Sequence, residues 1–240
     1  MTPPTARTPL WKSIAEALTA DIAGGRYGPG DKLPTEAELA ARFGVNRHTV
    51  RRGLADLADH GLIHARRGAG VFVTQAPTDY PIGRRVRFHQ NLRAAGRLPA
   101  REILTAETRG AAPREAEALH LPAGARVHVS EGRSLADGQP IALYRSVFPA
   151  ARFPDLLTRL AETGSVTRML AHFGITDYIR ASTRLTAKRA TATQANGLRL
   201  REGDPILRTV GINVDPEGRP IEYGHTWFAG DRVTLTLGAD

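Results

Sequence analysis

The sequence predicts an α+β chain in two units, a mostly helical N-terminal unit closed by a β-hairpin and a larger C-terminal unit built on a mainly antiparallel sheet. Three observations predict it. Up to about residue 60 the apolar residues recur at helical spacing. Beyond residue 126, strand-like runs alternate with short helical stretches and hairpin turns. Between these textures lies TQAPTDYP, residues 74–81, with two prolines and little apolar content. At 240 residues the chain can build one large core or two modest ones. The expected bounds are 9–75 for the first unit, 76–82 for a linker and 83–238 for the second.

From Leu10 an apolar stripe runs through Ile14, Leu18 and Ile22 and breaks at Gly24-Gly25, which predicts an amphipathic helix. Thr35-Glu36-Ala37-Glu38 then reads as a capping box, with Leu39 and Phe43 pointing inward from a short second helix. Gly44 supplies a sharp turn and Asn46 caps a third helix that runs to about His60. Val50, Leu54 and Leu57 fall on one quarter of its wheel and define the buried face. Residues 62–73 are apolar at both ends around Arg66-Arg67-Gly68-Ala69-Gly70, the pattern of a β-hairpin.

On the third helix Arg47, His48, Arg51 and Arg52 sweep across the exposed sector, with no acid before Asp56. A short turn between two helices, the second presenting cations and hydroxyls at its start, is the geometry of a helix-turn-helix entering the major groove. Arginine pairs bidentately with guanine, while Thr49 and His48 suit base edges or phosphates. Arg66 and Arg67, with Gly68 and Gly70 shaping the turn, form a wing suited to phosphates or a minor groove. A single charge cluster is ordinarily a solvated face; here cluster, turn and wing agree.

The string LPTEAELAARFGVNRHTVRRGLADLADHGLIHARRGAGVFV resembles the winged helix-turn-helix of GntR-type bacterial transcription regulators across residues 9–75. The resemblance implies double-stranded operator DNA as partner. It places the contacts at Arg47, His48, Thr49, Arg51, Arg52 and the Arg66, Arg67, Gly68 and Gly70 tip, with Thr35 at the start of the second helix in the same set. Many members carry Arg where this chain has Ala37, so operator preference is not transferable from relatives.

In the C-terminal two thirds, a helical stretch is expected at Arg84–Ala95. Strands are expected at Val127–Ser130, Ile141–Phe148, Ile179–Ala187, Pro205–Val214 and Ile221–Leu237. Asp137-Gly138 reads as a hairpin turn. Short helices are expected near Pro113–Leu119, Phe153–Glu162, Ser165–Phe173 and Ala190–Leu198. The segments LADGQPIALYRSVFP and DPEGRPIEYGHTWFAGDRVTLTL are similar to the effector-sensing UTRA domain of the HutC branch, which implies a chorismate-lyase-like fold. Within that branch VNRHTVRR, DYP, RFHQNL and STRLTAKRA look most like regulators of phosphonate utilisation, the PhnF type.

That resemblance implies a small anionic effector, a phosphonate or phosphate ester. By motif position Ser146, Glu222 and Phe228 match its pocket, and two positions that hold Arg in some sugar-phosphate sensors are Gly132 and Ser134 here. From the residues themselves, a helix opening at Arg87-Phe88-His89-Gln90 offers backbone N–H groups to an anion. On residues 180–188 strand alternation puts Arg180, Ser182, Arg184, Thr186 and Lys188 on one face, with Arg184 the candidate clamp; such a face is also often plain solvent surface.

Composition narrows the rest. The chain carries 33 Lys+Arg against 24 Asp+Glu, a net charge of +9, and no Cys, which excludes disulfides, thiolate zinc sites and a Cys nucleophile. Residues 1–75 hold ten basic and seven acidic residues, so most of the surplus lies in the second unit. His120, His128, His172 and His225 lack metal-ligand spacing. No HExxH, GxSxG, P-loop or GxGxxG motif is present, and no cofactor, metal or catalytic residue is expected. A lyase-like enzyme is the rival class, with Glu222 as its acid–base candidate. No apolar run spans a bilayer and none resembles a signal peptide, so a cytoplasmic protein is expected. The function expected is a ligand-responsive repressor that binds a pseudo-palindromic operator as a homodimer and is released by its effector. A sugar phosphate or a urocanate-like metabolite is the alternative effector.

Overall fold

The computed structural model describes residues 9–66, 68, 70–74 and 77–237, with the Arg66 side chain outside the description. The chain divides into two units between residues 76 and 77.

In the first unit α1 (Leu10–Ala23) buries Ile14, Ala15 and Leu18. Helix α2 (Glu36–Phe43) opens on the capping box: the Thr35 hydroxyl accepts from the Glu38 N–H, and the Glu38 carboxylate accepts from the Thr35 N–H at 2.7 Å. It stops at Gly44, whose φ of 63° is left-handed and would strain a side chain. Asn46 Oδ1 accepts from the Thr49 N–H at 2.9 Å and starts α3 (Arg47–Asp59). The hairpin of β1 (Ile63–Arg66) and β2 (Gly70–Val73) is antiparallel, and β2 also bonds to the chain at Asp31–Leu33. Leu18, Leu33, Leu39, Val50, Leu57 and Ile63 close one core between helices and hairpin.

In the second unit six antiparallel strands stand in the order β4-β5-β6-β9-β8-β7. They are β4 (Pro99–Gly110), β5 (Arg126–Ala136), β6 (Gln139–Pro149), β7 (Ile179–Arg189), β8 (Pro205–Val214) and β9 (Pro220–Ala229). Asp137 and Gly138 both take positive φ, as a type I′ hairpin turn between β5 and β6 requires. A short parallel pair, β3 (Thr78–Pro81) with β10 (Val233–Thr236), lies apart from the sheet. Helices α4 (Phe88–Ala94), α5 (Pro113–Ala118), α6 (Leu156–Thr163), α7 (Val166–His172) and α8 (Ala192–Leu198) complete the unit.

Three expectations are corrected. The stretch read as linker to residue 82 contains β3, whose Thr78 and Tyr80 are buried; Pro81 is tolerated because it ends a short strand in a two-strand pair. Strand β4 is absent from the sequence-based expectation. Its sequence PAREILTAETRG is largely exposed and weakly patterned, and pairing with β5 holds it as an edge. The single strand expected at Ile221–Leu237 is two, β9 and β10, separated by a turn at residues 230–232.

One face of the sheet packs α5 and α8. There His225 lies between Tyr223 and Trp227, with ring centroids 4.8 and 5.8 Å away. Burial, reinforced by the charges of Arg208 and Arg145, pushes its imidazolium pKa down to about 4. The unfolded chain takes up that proton near pH 6.5, the folded chain only near 4, so acidification through this window favours unfolding. The urea midpoint is expected to be lower at pH 5 than at pH 7. An H225Q variant should show a smaller decline, which equilibrium unfolding at the two pH values checks.

Candidate functional site

The first unit presents the start of α3 to solvent. Arg47, His48, Arg51 and Arg52 are exposed, and Thr49 is half-buried with its hydroxyl donating to Asn46 Oδ1 at 2.9 Å. Arg51 is not loose. Its Nε and Nη2 donate to the two carboxylate oxygens of Glu36, at 3.0 and 2.6 Å, which fixes the guanidinium plane against the start of α2. That bidentate contact, helped by the Arg47 and His48 charges, holds the Glu36 carboxyl below its ordinary range. Arg52 lies over the Trp11 ring of α1 at 4.7 Å, so it is partly engaged in holding the helices together. Thr35 is taken up by the capping box. At the wing Gly68 and Gly70 adopt φ of 72° and 114°. Arg67 and the Arg66 side chain lie outside the described residues.

The second unit encloses a cavity of about 100 Å³ against the sheet face opposite α5 and α8. Register puts its residues in rows: Ser134, Ala142 and Phe228; Tyr144, Thr226 and Thr209; Ser146, Gly224, Gly211 and Thr183; Glu222, Asn213 and Arg180. Arg101 joins from β4, opposite Ser134. Tyr80 of β3, Phe88 and His89 of α4, Ser165 and Thr167 beside α7, and Tyr178 close it from above. Among the expected residues, Phe88, His89, Ser146, Glu222 and Phe228 line this cavity. Gln90 does not; it lies on an outer groove with Arg85, Arg87, Arg93 and Arg168.

Arg184 is exposed and does not line the cavity. The cause is a β-bulge. Arg180 pairs with Asn213 but Ser182 pairs with Ile212, so the residue between them is extra and the alternation resets. Thr183 therefore shares the cavity face with Arg180, and Arg184 turns to the other face.

Three buried polar atoms on the cavity wall have no hydrogen-bond partner: Arg101 Nε, the Tyr144 hydroxyl and Thr183 Oγ1. The Arg101 guanidinium lies 3.5 Å over the Tyr144 ring. Arg180 Nε donates to Asn213 Oδ1 at 2.7 Å, and Asn213 Nδ2 donates to Glu222 Oε2 at 2.6 Å. Arg180 lies across Gly211, where a Cβ would stand 1.9 Å from Nη1, so a side chain there would displace the guanidinium. Burial, with the charges of Arg101, Arg168 and Arg93, lowers the His89 pKa and keeps that ring neutral near pH 7. Burial also raises the Tyr80 and Tyr178 phenols, which stay protonated. Donors outnumber acceptors here, and the arrangement suits a ligand with several anionic oxygens. Sequence reasoning missed Arg101 because its strand was missed; it put Arg180 on one face with Arg184 and chose Arg184, because the bulge between them leaves no signal in composition.

Comparison with known proteins assigns each unit to a family. Residues 10–73 match the model of bacterial regulatory proteins of the gntR family, and residues 94–234 match the UTRA domain. An HTH-type transcriptional regulator of Rhizobium meliloti (strain 1021) is 40% identical over 95% of this chain and 94% of its own length. The probable transcriptional regulator PhnF of Escherichia coli (strain K12) is 33% identical over 98% of each chain. The crystal structure of PhnF from Mycobacterium smegmatis superposes with a TM-score of 0.64 at 25% identity, covering 95% of this chain and 99% of that one. The chain therefore belongs to the GntR family of bacterial transcriptional regulators, with a helix-turn-helix unit for DNA and a UTRA unit for an effector.

Proposed function

We propose that this regulator is a cytoplasmic repressor that acts as a homodimer on a pseudo-palindromic operator and is released when a small anionic metabolite enters the UTRA cavity. The observation that carries the reading is the cavity wall, where Arg101, Arg180, Tyr144 and Thr183 offer unpaired or cationic donors and one buried carboxylate, Glu222, is joined to Arg180 through Asn213. The similarity to PhnF supports reading that metabolite as a phosphonate. Two chains would set their α3 helices on half-sites about 34 Å, or a multiple of it, apart.

Thr35, Arg47, His48, Thr49, Arg51 and Arg52, with Arg66, Arg67, Gly68 and Gly70 of the wing, form the proposed DNA surface. Arg51, pre-oriented by Glu36, is the proposed base reader. R51A is expected to lose about 1–3 kcal/mol of operator binding and to relax discrimination at one base pair. The test selects an operator from random duplexes with the full chain and compares the two proteins on single-base variants. Release of that operator by ethylphosphonate, a hexose 6-phosphate or urocanate, read by anisotropy, tests the effector class. Release by urocanate alone contradicts the phosphonate reading.

A further inference from the structure

We propose that the effector is a zwitterion, a phosphonate or phosphate head joined by a short carbon chain to a protonated amine, with Arg101 as a principal anchor of the head. The inference rests on the anionic-effector reading above and adds two things to it: the second charge on the ligand, and the strand that supplies the cation.

The head is defined by what the cavity leaves unpaired. Arg101 Nε can only donate, and the Tyr144 and Thr183 hydroxyls are donors free of protein acceptors; Arg101 lies over Tyr144 at one end of the cavity, and Thr183 lines it from β7 at the other edge of the sheet. Arg101 reaches the wall from edge strand β4, directly opposite Ser134. A Cβ at Gly132 would stand 1.9 Å from the Glu102 backbone carbonyl oxygen of β4 and 2.7 Å from the Tyr144 phenol oxygen, so the missing side chain serves the approach of β4 as well as the placement of Tyr144. The small residues of β5 at 132 and 134 thus clear the space in which Tyr144 and the Arg101 stacked on it lie. The cation of this wall comes from the neighbouring strand.

The amine is defined by Glu222. This side chain is 8% exposed, and its Oε2 accepts from Asn213, whose own carbonyl accepts from Arg180. A buried carboxylate on the wall of an anion site would repel the head unless the ligand brings a donor to it. Counting charges gives the same answer. Arg101 and Arg180 contribute two positive charges and Glu222 one negative, leaving a surplus of one. With both signs of charge on the wall, each end of a zwitterion finds its own partner. Tyr80, Phe88 and Phe228 form an aromatic wall suited to the methylene chain and to the ammonium.

The test is calorimetric titration of the full chain with four probes: 2-aminoethylphosphonate, O-phosphoethanolamine, ethylphosphonate and ethyl phosphate. The two amines are expected to bind at least tenfold tighter than their counterparts without one, and comparison within the amine pair tells phosphonate from phosphate ester. E222Q should bring the amine and non-amine affinities together, and R101A should weaken the amine probes at least tenfold. Equal binding of all four overturns the zwitterion while leaving an anionic effector standing; binding of none overturns both. Unchanged affinity in R101A removes Arg101 from the site. If E222Q fails to fold, the wild-type ratio of amine to non-amine affinities decides by itself.

Discussion

R180A is expected to stay on its operator at phosphonate concentrations that clear the wild-type protein, while R184A releases as wild type does. Arg180 donates through Nε to Asn213, and Asn213 in turn orients Glu222. Removing it deletes a cation from the anion site and leaves a buried carboxylate with one fewer compensating charge. A hydrogen bond to a charged group contributes about 1.5–3 kcal/mol, so losing the head contact and the orientation of Asn213 together should weaken the effector on the order of 100-fold or more. Operator affinity without effector should hardly change, because the helix-turn-helix belongs to the other unit. Arg184 is exposed and beyond the bulge, so its loss should leave release unaltered. Anisotropy titrations of the two variants against the same duplex separate the outcomes, and normal release by R180A would show that the head lies elsewhere.

E115A should destabilise the fold more than any of these other charge deletions. Glu115 is 5% exposed and accepts from both Nη atoms of Arg109 at 2.8 Å, from Arg145 Nη2 at 3.0 Å and from the Ala112 N–H at 2.8 Å. Removing one partner of a buried ion pair typically costs about 3–5 kcal/mol; the lower end applies because both arginines keep some solvent and a second carboxylate nearby, Glu107 for Arg109 and Glu131 for Arg145. The Arg109 hydrogen bonds, against the opposing effect of burial, hold the Glu115 carboxyl below its ordinary range. Its contribution is therefore complete above the unfolded carboxyl pKa and is lost as pH falls through the lower folded value. Urea unfolding at pH 7 should show a reduced midpoint in E115A. The difference from wild type should shrink in acid, starting near pH 4.5 at the lower end of the range in which His225 acts and continuing below it.

Local chemistry with fixed spacing is readable from the sequence alone. The Thr35–Glu38 box, the left-handed Gly44 and the Asn46 cap each need only residues a few positions apart, and each is present. The Asp137-Gly138 turn is of the same kind. Strands β3 and β4 are not readable, because their hydrogen bonds come from partners far along the chain: Thr78 pairs with Val233, and Ala100 with Leu135. The effector site is half readable. Ser146, Glu222 and Phe228 sit on regular alternation and reach the cavity together. Arg184 does not, since one extra residue near Arg180 inverts every later side chain on β7, and no residue type there announces it.

The central claim is that occupancy of the UTRA cavity and operator binding oppose each other through one equilibrium. Linkage makes that reciprocal: the factor by which ligand weakens DNA binding equals the factor by which DNA weakens ligand binding. The measurement is the affinity of the full chain for 2-aminoethylphosphonate by calorimetry, with and without saturating operator duplex, set beside the operator affinity with and without that ligand. Equal and opposite factors, clearly above one, are predicted. A ligand that binds the free and the operator-bound protein equally well would contradict the account.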